Sequence, residues 1–298
     1  MAIESVGTGR PQLLPIVGLL LLETSLVVCW SSGFVGIRYA IDHGPVFLIL
    51  LWRTLASGVL LLPFALLIGP KPRLAEIAKH LVFGALAMSG YLAGFAIAIA
   101  RGVPTGLVAL IADMLPLAIA MLSLPVLGHL LNGRQWVGLG IGFLGVLVAS
   151  VGSLHVGEAP PWAYSMPVLG MLSLALATLL QKRFASSDMP VHQSLCIQCF
   201  AAAVIFSAFA AGEGGIAPVY EWEFIIGIGW LVIVATFGGY GLYYLCLRRS
   251  SPARVSSVLY LSPPVTMLWA WLMFDEPLSG AMAVGLVVSL SGIVLASR

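Results

Sequence analysis

The stretch Gly138–Ser150, GLGIGFLGVLVAS, returns 147 residues later as Gly285–Ser297, GLVVSLSGIVLAS. Gly138, Gly145 and Ala149-Ser150 stand opposite Gly285, Gly292 and Ala296-Ser297. Moving back along the chain, Pro104 and Pro116 recur as Pro252 and Pro264 at an offset of 148. Arg38 and Pro45 recur as Arg183 and Pro190 at an offset of 145. An offset that drifts so little marks one unit written twice, with small length changes in the loops.

Composition says what kind of unit it is. Of 298 residues, 60% are hydrophobic and 9% charged, where a soluble domain carries about 25% charged residues. The mean hydropathy is +1.05. Apolar runs of roughly 20 residues read as bilayer-spanning helices. They fall near 13–36, 45–69, 80–100, 105–128, 134–153, 161–181, 190–211, 224–246, 254–274 and 278–297. The expected fold is therefore an all-α integral membrane protein with ten transmembrane helices. Five spans per unit is an odd number, so the second copy enters the bilayer from the opposite side. That gives two inverted five-helix repeats, residues 1–153 and 154–298, in one compact unit. Inverted repeats are a signature of secondary transporters, with the substrate site near the midplane between the halves.

Charge fixes the expected orientation. With the N-terminus inside, eleven of the fourteen basic residues lie on the cytoplasmic side, among them Lys71, Arg73, Lys182, Arg183, Arg248 and Arg249. Only Arg38 and Arg101 fall outside, and Arg53 sits within a span. The positive-inside rule places both termini in the cytoplasm. The first span holds Glu23 and continues apolar past Cys29 without a cleavage site, so it reads as a retained helix. Cys29, Cys196, Cys199 and Cys246 all fall in spans and read as small packing residues. His43, His80, His129, His155 and His192 lack metal-site spacing, so neither metal nor cofactor is expected.

Ionisable residues inside spans are expensive and are functional candidates by default. Glu23, Arg53 and Asp113 lie on the first, second and fourth spans. Each sits about 12–15 Å from a helix end at ~1.5 Å per residue. Equal depth suggests one buried cluster with mutual pairing. Three readings stand: a structural Arg53–Asp113 pair, substrate binding, and proton coupling through one carboxyl. In the second half, Gln198 stands where Arg53 does and Leu261 where Asp113 does, so the charge belongs to one repeat only.

Aromatic residues supply candidate walls. Trp30 follows Glu23 by seven residues, two turns on and on nearly the same face. Tyr91 and Phe95 share a face of the third span. Tyr240 and Tyr243 lie on the eighth, with Tyr260 and Ser262 on the ninth. Pro116 and Pro263-Pro264 interrupt the fourth and ninth spans at matching places, and paired breaks point to a transport site. Gly138, Gly142, Gly145, Gly285 and Gly292 read as helix-packing positions.

In order and repetition, these residues resemble the EamA-type branch of the drug/metabolite transporter superfamily. The resemblance rests on Trp30-Ser31-Ser32-Gly33-Phe34, on Arg53 with its leucine-rich run, and on Leu115-Pro116-Leu117. The second repeat adds Ser262-Pro263-Pro264, Asp275-Glu276-Pro277-Leu278, Gly285 and Gly292. The chain departs from the family at Gly128-His129, where an acidic residue usually stands. The resemblance, closest to the aromatic-amino-acid exporters, implies a central cavity from spans 1–4 and 6–9 and export of small metabolites from a bacterial cytoplasm. It implies a small-molecule substrate, a lipid surround in the inner membrane, no nucleic acid, and a monomer or weak homodimer. The substrate-binding candidates are Trp30, Arg53, Tyr91, Asp113, Tyr240, Tyr243, Tyr260 and Ser262, with Glu23 joining Arg53 and Asp113 in a coupling or structural role. No intramembrane hydrolase motif and no selectivity-filter run is present, so a membrane enzyme or a channel ranks below a transporter.

Overall fold

The computed structural model describes residues 13–127, 133–154, 159–184, 189–249, 258–259 and 261–297. Among them every regular element is helical. In lipid, backbone N–H and C=O groups must be satisfied within their own segment, which helices achieve. The helices are α1 (Leu13–Ala40), α2 (Val46–Leu67), α3 (Leu74–Gly84), α4 (Tyr91–Ala100), α5 (Thr105–Ala112), α6 (Leu115–Leu127) and α7 (Gly133–Leu154). Then follow α8 (Ser165–Phe184), α9 (Val191–Glu213), α10 (Trp222–Trp230), α11 (Gly241–Arg249), α12 (Ser262–Phe274) and α13 (Gly280–Ser297). Six stretches are long and apolar enough to cross a membrane: Gly18–Ala40, Val46–Leu67, Leu74–Ala100, Pro161–Phe184, Val191–Glu213 and Trp222–Tyr243. Shorter apolar helices cover Thr105–Ile119, Gly133–Ala149 and Gly280–Gly292.

Two stretches are not uniform α-helix. A π-helical segment, Ala85–Gly90, joins α3 to α4, and a longer one, Leu231–Tyr240, joins α10 to α11. Gly90 and Tyr240 are 150 residues apart, so the two segments occupy matching places in the two halves. A π turn widens the helix and shifts the face that follows it, and it is frequent at functional sites.

The expected break near Pro116 falls slightly earlier. α5 ends at Ala112, and Asp113-Met114 form a turn before α6. A proline ring collides with the carbonyl four residues back, and four back from Pro116 is Ala112. The other break has the same logic in reverse. Pro263 occupies the first turn of α12, where its missing N–H and fixed φ cost nothing.

Two helices pack on their counterparts from the other half, α2 on α9 and α7 on α13, and α5 packs on α12, the counterpart of α6. Each pair runs antiparallel. A Cβ on Gly145 would meet Ser289 and the Gly285 carbonyl, while one on Gly292 would meet Gly142 and the Gly138 carbonyl. Ser289 Oγ also donates to the Gly142 carbonyl at 3.0 Å. Phe47 stacks on Phe209, 4.9 Å between centroids, while Gln193 at the other end of the pair donates to the Ala65 carbonyl at 3.0 Å. The repeated glycines are thus packing positions: they let backbones approach closely where lipid provides no hydrophobic drive.

The core runs through α1, α2, α4, α5, α8 and α9, with Ile37, Ile49, Leu50, Leu107 and Phe206 almost fully buried. Leu67 and Val204, 83% and 70% exposed, present the opposite, lipid-facing character. The four cysteines are unbonded, three of them buried.

Candidate functional site

One face of α1 carries Trp30, Gly33 and Phe34, at a spacing that puts all three toward the same neighbours. Those neighbours are α4 and the π segment Leu231–Tyr240. A Cβ on Gly33 would lie 3.6 Å from Ala235, and Gly239 faces Trp30 from the other side. Trp30 meets Tyr240 edge-on at 5.5 Å between centroids and Tyr243 at 5.8 Å. Phe34 meets Phe95 at 5.1 Å, and Phe95 meets Tyr91 at 5.0 Å. Between these rings lies a cavity of about 30 Å³, walled by Trp30, Phe34, Tyr91, Phe95, Tyr240 and Arg53 together with Gly33, Leu92 and Ala235. That is room for about two waters, too little for an amino acid in this conformation.

Arg53 is the charged member. α2 buries it to 5% exposure. Its Nε donates to Thr236 Oγ1 at 3.3 Å, and Thr236 in turn donates to the Leu231 carbonyl at 2.8 Å. The Thr236 proton is thereby committed within the π segment, which leaves an oxygen lone pair for the guanidinium. Arg53 Nη1 has no hydrogen-bond partner. Tyr91 and Tyr240 are both within electrostatic reach of Arg53.

Of the residues marked by sequence, Trp30, Arg53, Tyr91 and Tyr240 meet around this cavity. Tyr243 backs Trp30 without lining the space. Ser262 lies elsewhere, buried at the start of α12, where its carbonyl accepts from Ser31 Oγ at 3.2 Å. Asp113 sits at the α5–α6 turn beside Ser262, although the Ser262 hydroxyl itself falls outside hydrogen-bond geometry. Glu23 is buried in the region of α1 that packs with Leu26, Leu242 and Cys246. Tyr260 and Gly128-His129 lie outside the described residues.

The expected mutual pairing of the charged trio does not occur. Among the described residues Arg53 makes no ion pair, and its one hydrogen bond goes to a threonine across the repeat boundary. Equal depth in the membrane does not fix helix rotation, and the rotation of α2 turns Arg53 toward the π segment rather than toward α5. The sequence marks Phe34 only as part of the Trp30–Phe34 motif and does not mark Thr236 or Leu92. The only local signal for Thr236 is an isolated hydroxyl in an apolar run just before Gly238-Gly239.

A second constellation ties the ends of α5 and α12. Glu276 Oε2 accepts from the Thr105 backbone N–H at 2.7 Å, and Oε1 accepts from the Thr105 hydroxyl. The carboxylate caps the N-terminus of α5 from a segment 171 residues away. Arg38 Nε lies 3.8 Å from the same carboxylate. Arg38 also binds both Asp42 oxygens at 2.7 Å and lies 4.9 Å over the Phe274 ring. Burial raises the Glu276 carboxyl above its ordinary value, against the Thr105 and Gly106 hydrogen bonds and the Arg38 charge, which lower it.

A cavity walled by both halves of a duplicated helical chain agrees with the family to which the sequence matches. The EamA-like transporter family model fits the chain twice, over residues 17–151 and 161–298. The chain belongs to the EamA-like transporter family. It is similar to the "Uncharacterized inner membrane transporter YedA" of Escherichia coli K12, 28% identical over 93% of this chain and 89% of the relative. It is also similar to the "Probable amino-acid metabolite efflux pump" of the same strain, 26% identical over 92% of this chain and 93% of that one. The "Probable terminal-alkyne amino-acid exporter" of Streptantibioticus cattleyicolor is 26% identical over 91% of each chain. A protein known from a crystal structure shares the fold at a TM-score of 0.62 and 19% identity, over 94% of this chain and 96% of its own. As a member of this family, the chain is a membrane transporter.

Proposed function

We propose that this EamA-type transporter is a secondary carrier that exports small metabolites, foremost neutral and aromatic amino acids, from a bacterial cytoplasm. It works by alternating access through the Arg53 cavity. The observation that carries the reading is the make-up of that cavity. α1, α2 and α4 of the first repeat and the π segment of the second wall a single space with aromatic rings and one cation. Rings with few polar handles suit small organic molecules. The names of two relatives, an efflux pump for amino-acid metabolites and an exporter of an unusual amino acid, support the substrate class.

Ten spans in two inverted repeats complete the proposal. The antiparallel packing of α2 with α9 and α7 with α13 supports inversion, because symmetry-related helices of an inverted pair run opposite ways. The positive-inside count supports cytoplasmic termini, and the name of the first relative supports the inner membrane. The protein acts as a monomer or weak homodimer in lipid, without cofactor or metal, and not as an enzyme.

Counterflow tests it. Proteoliposomes loaded with unlabelled phenylalanine should accumulate labelled phenylalanine, methionine or threonine saturably. Flux that does not saturate, or that shows no counterflow with any amino acid, overturns the reading.

A further inference from the structure

Arg53 has more donor capacity than the protein uses. Nε is held by Thr236 at 3.3 Å, while Nη1 has no partner although the side chain is only 5% exposed. A guanidinium stays charged wherever it is buried, and a buried, unpaired charge at membrane depth is costly. The fold does not require a cation at this place. Gln198, the counterpart in the second half, is satisfied by His80 Nδ1 at 3.2 Å.

The walls are equally telling. None of the described residues lining the cavity is acidic. Asp113 stands beside Ser262 at the helix break, within electrostatic reach of Tyr91 but not on the wall itself. A zwitterion entering this space finds a cation on the wall for its carboxylate and no acidic side chain on the wall for its ammonium. Anchoring Nε on Thr236 leaves the two Nη groups for an end-on, bidentate contact with a carboxylate.

Resting on the transport reading above, we infer that the cavity recognises its substrate by the carboxylate, through Arg53, and that the amino group is dispensable. The substrate class then extends from amino acids to arylalkyl carboxylic acids that have no amine. A cavity of about 30 Å³ admits neither as it stands. Binding therefore requires the Trp30–Tyr240 and Phe34–Phe95 contacts to part.

Isothermal titration of the purified full chain in detergent micelles tests this with four matched ligands: phenylalanine, 3-phenylpropionate, phenylalaninamide and 2-phenylethylamine. The two carboxylates should bind, and the two compounds lacking one should bind about tenfold or more weakly, since a charged hydrogen-bond pair is lost. Arg53→Gln should remove that preference, and Arg53→Lys should retain part of it. Amide or amine binding as tight as phenylalanine overturns the inference, as does phenylalanine binding without phenylpropionate binding. If phenylpropionate binds and phenylalanine does not, the inference stands and the amino-acid reading falls. If no carboxylate binds, the inference falls, and counterflow judges transport separately. The wild-type series decides the matter even if neither variant folds.

Discussion

Replacing Glu276 by alanine should unfasten the tie between the two halves at the end of α5. The carboxylate accepts two hydrogen bonds from Thr105, one of them at 2.7 Å from the backbone N–H, and has Arg38 at 3.8 Å. Hydrogen bonds to a charged group contribute about 1.5–3 kcal/mol each. Burial of the carboxylate offsets part of this, and the half-exposed Arg38 adds little. A net of about 2 kcal/mol follows, which shifts a two-state equilibrium by about thirtyfold. With the proposed cytoplasmic termini this tie lies on the outer face, so its loss should favour the state open to the outside. Ala235, 6% exposed in the cavity wall, is the reporter. In a cysteine-free background with Ala235→Cys, an impermeant maleimide added outside should label the Glu276→Ala protein about thirtyfold faster. Equal rates would show that Glu276 does not hold the closed state, because a contact that does must change its population when removed.

Other outcomes follow from the same contacts. Glu276→Gln keeps an oxygen for Thr105 and removes the burial cost of the charge, so it should hold the tie and abolish its pH dependence. In the parent the carboxyl titrates above its ordinary value. The part of its contribution that comes from burying the neutral form is therefore full below the ordinary carboxylate range and is lost as pH rises through the raised value, leaving the hydrogen bonds to the carboxylate. Maleimide labelling of Ala235→Cys, taken at each pH relative to the Glu276→Gln protein so that the thiolate fraction cancels, should accelerate over that window. Thr236→Val removes the anchor of Arg53 at nearly constant volume, and about tenfold weaker phenylalanine binding should result, measured by titration calorimetry. Gly145→Leu drives a side chain into the α13 backbone at Ser289. It should lower the detergent melting temperature by an amount equivalent to about 1–3 kcal/mol. Lys71→Cys in intact cells should resist impermeant maleimide, and ready labelling from outside would reverse the topology.

Much of this molecule is legible without coordinates, and the reason is that membrane insertion reads sums over segments. Apolar length marks helices α1, α2, α8 and α9 whatever packs on them. The spacing of Gly138, Gly142 and Gly145 marks a close helix contact. The offset between Gly138–Ser150 and Gly285–Ser297 even identifies the partner, since the two copies pack on each other. Pro116 and Pro263 mark broken helices, because a missing donor and a ring clash are local facts.

What the chain alone could not decide is which way each helix turns. Glu23, Arg53 and Asp113 share a depth and so invite pairing, yet depth is one coordinate and contact needs three. Packing of α2 against α9 rotates Arg53 toward Thr236, 183 residues away, and leaves Asp113 beside Ser262. The π segments have no sequence mark, because the extra residue in a widened turn is accommodated by neighbours rather than by propensity. Residue type and order determined that the chain crosses a bilayer as a duplicated helical unit. Only the packing of one half on the other decided that a lone arginine would face a ring of aromatic side chains.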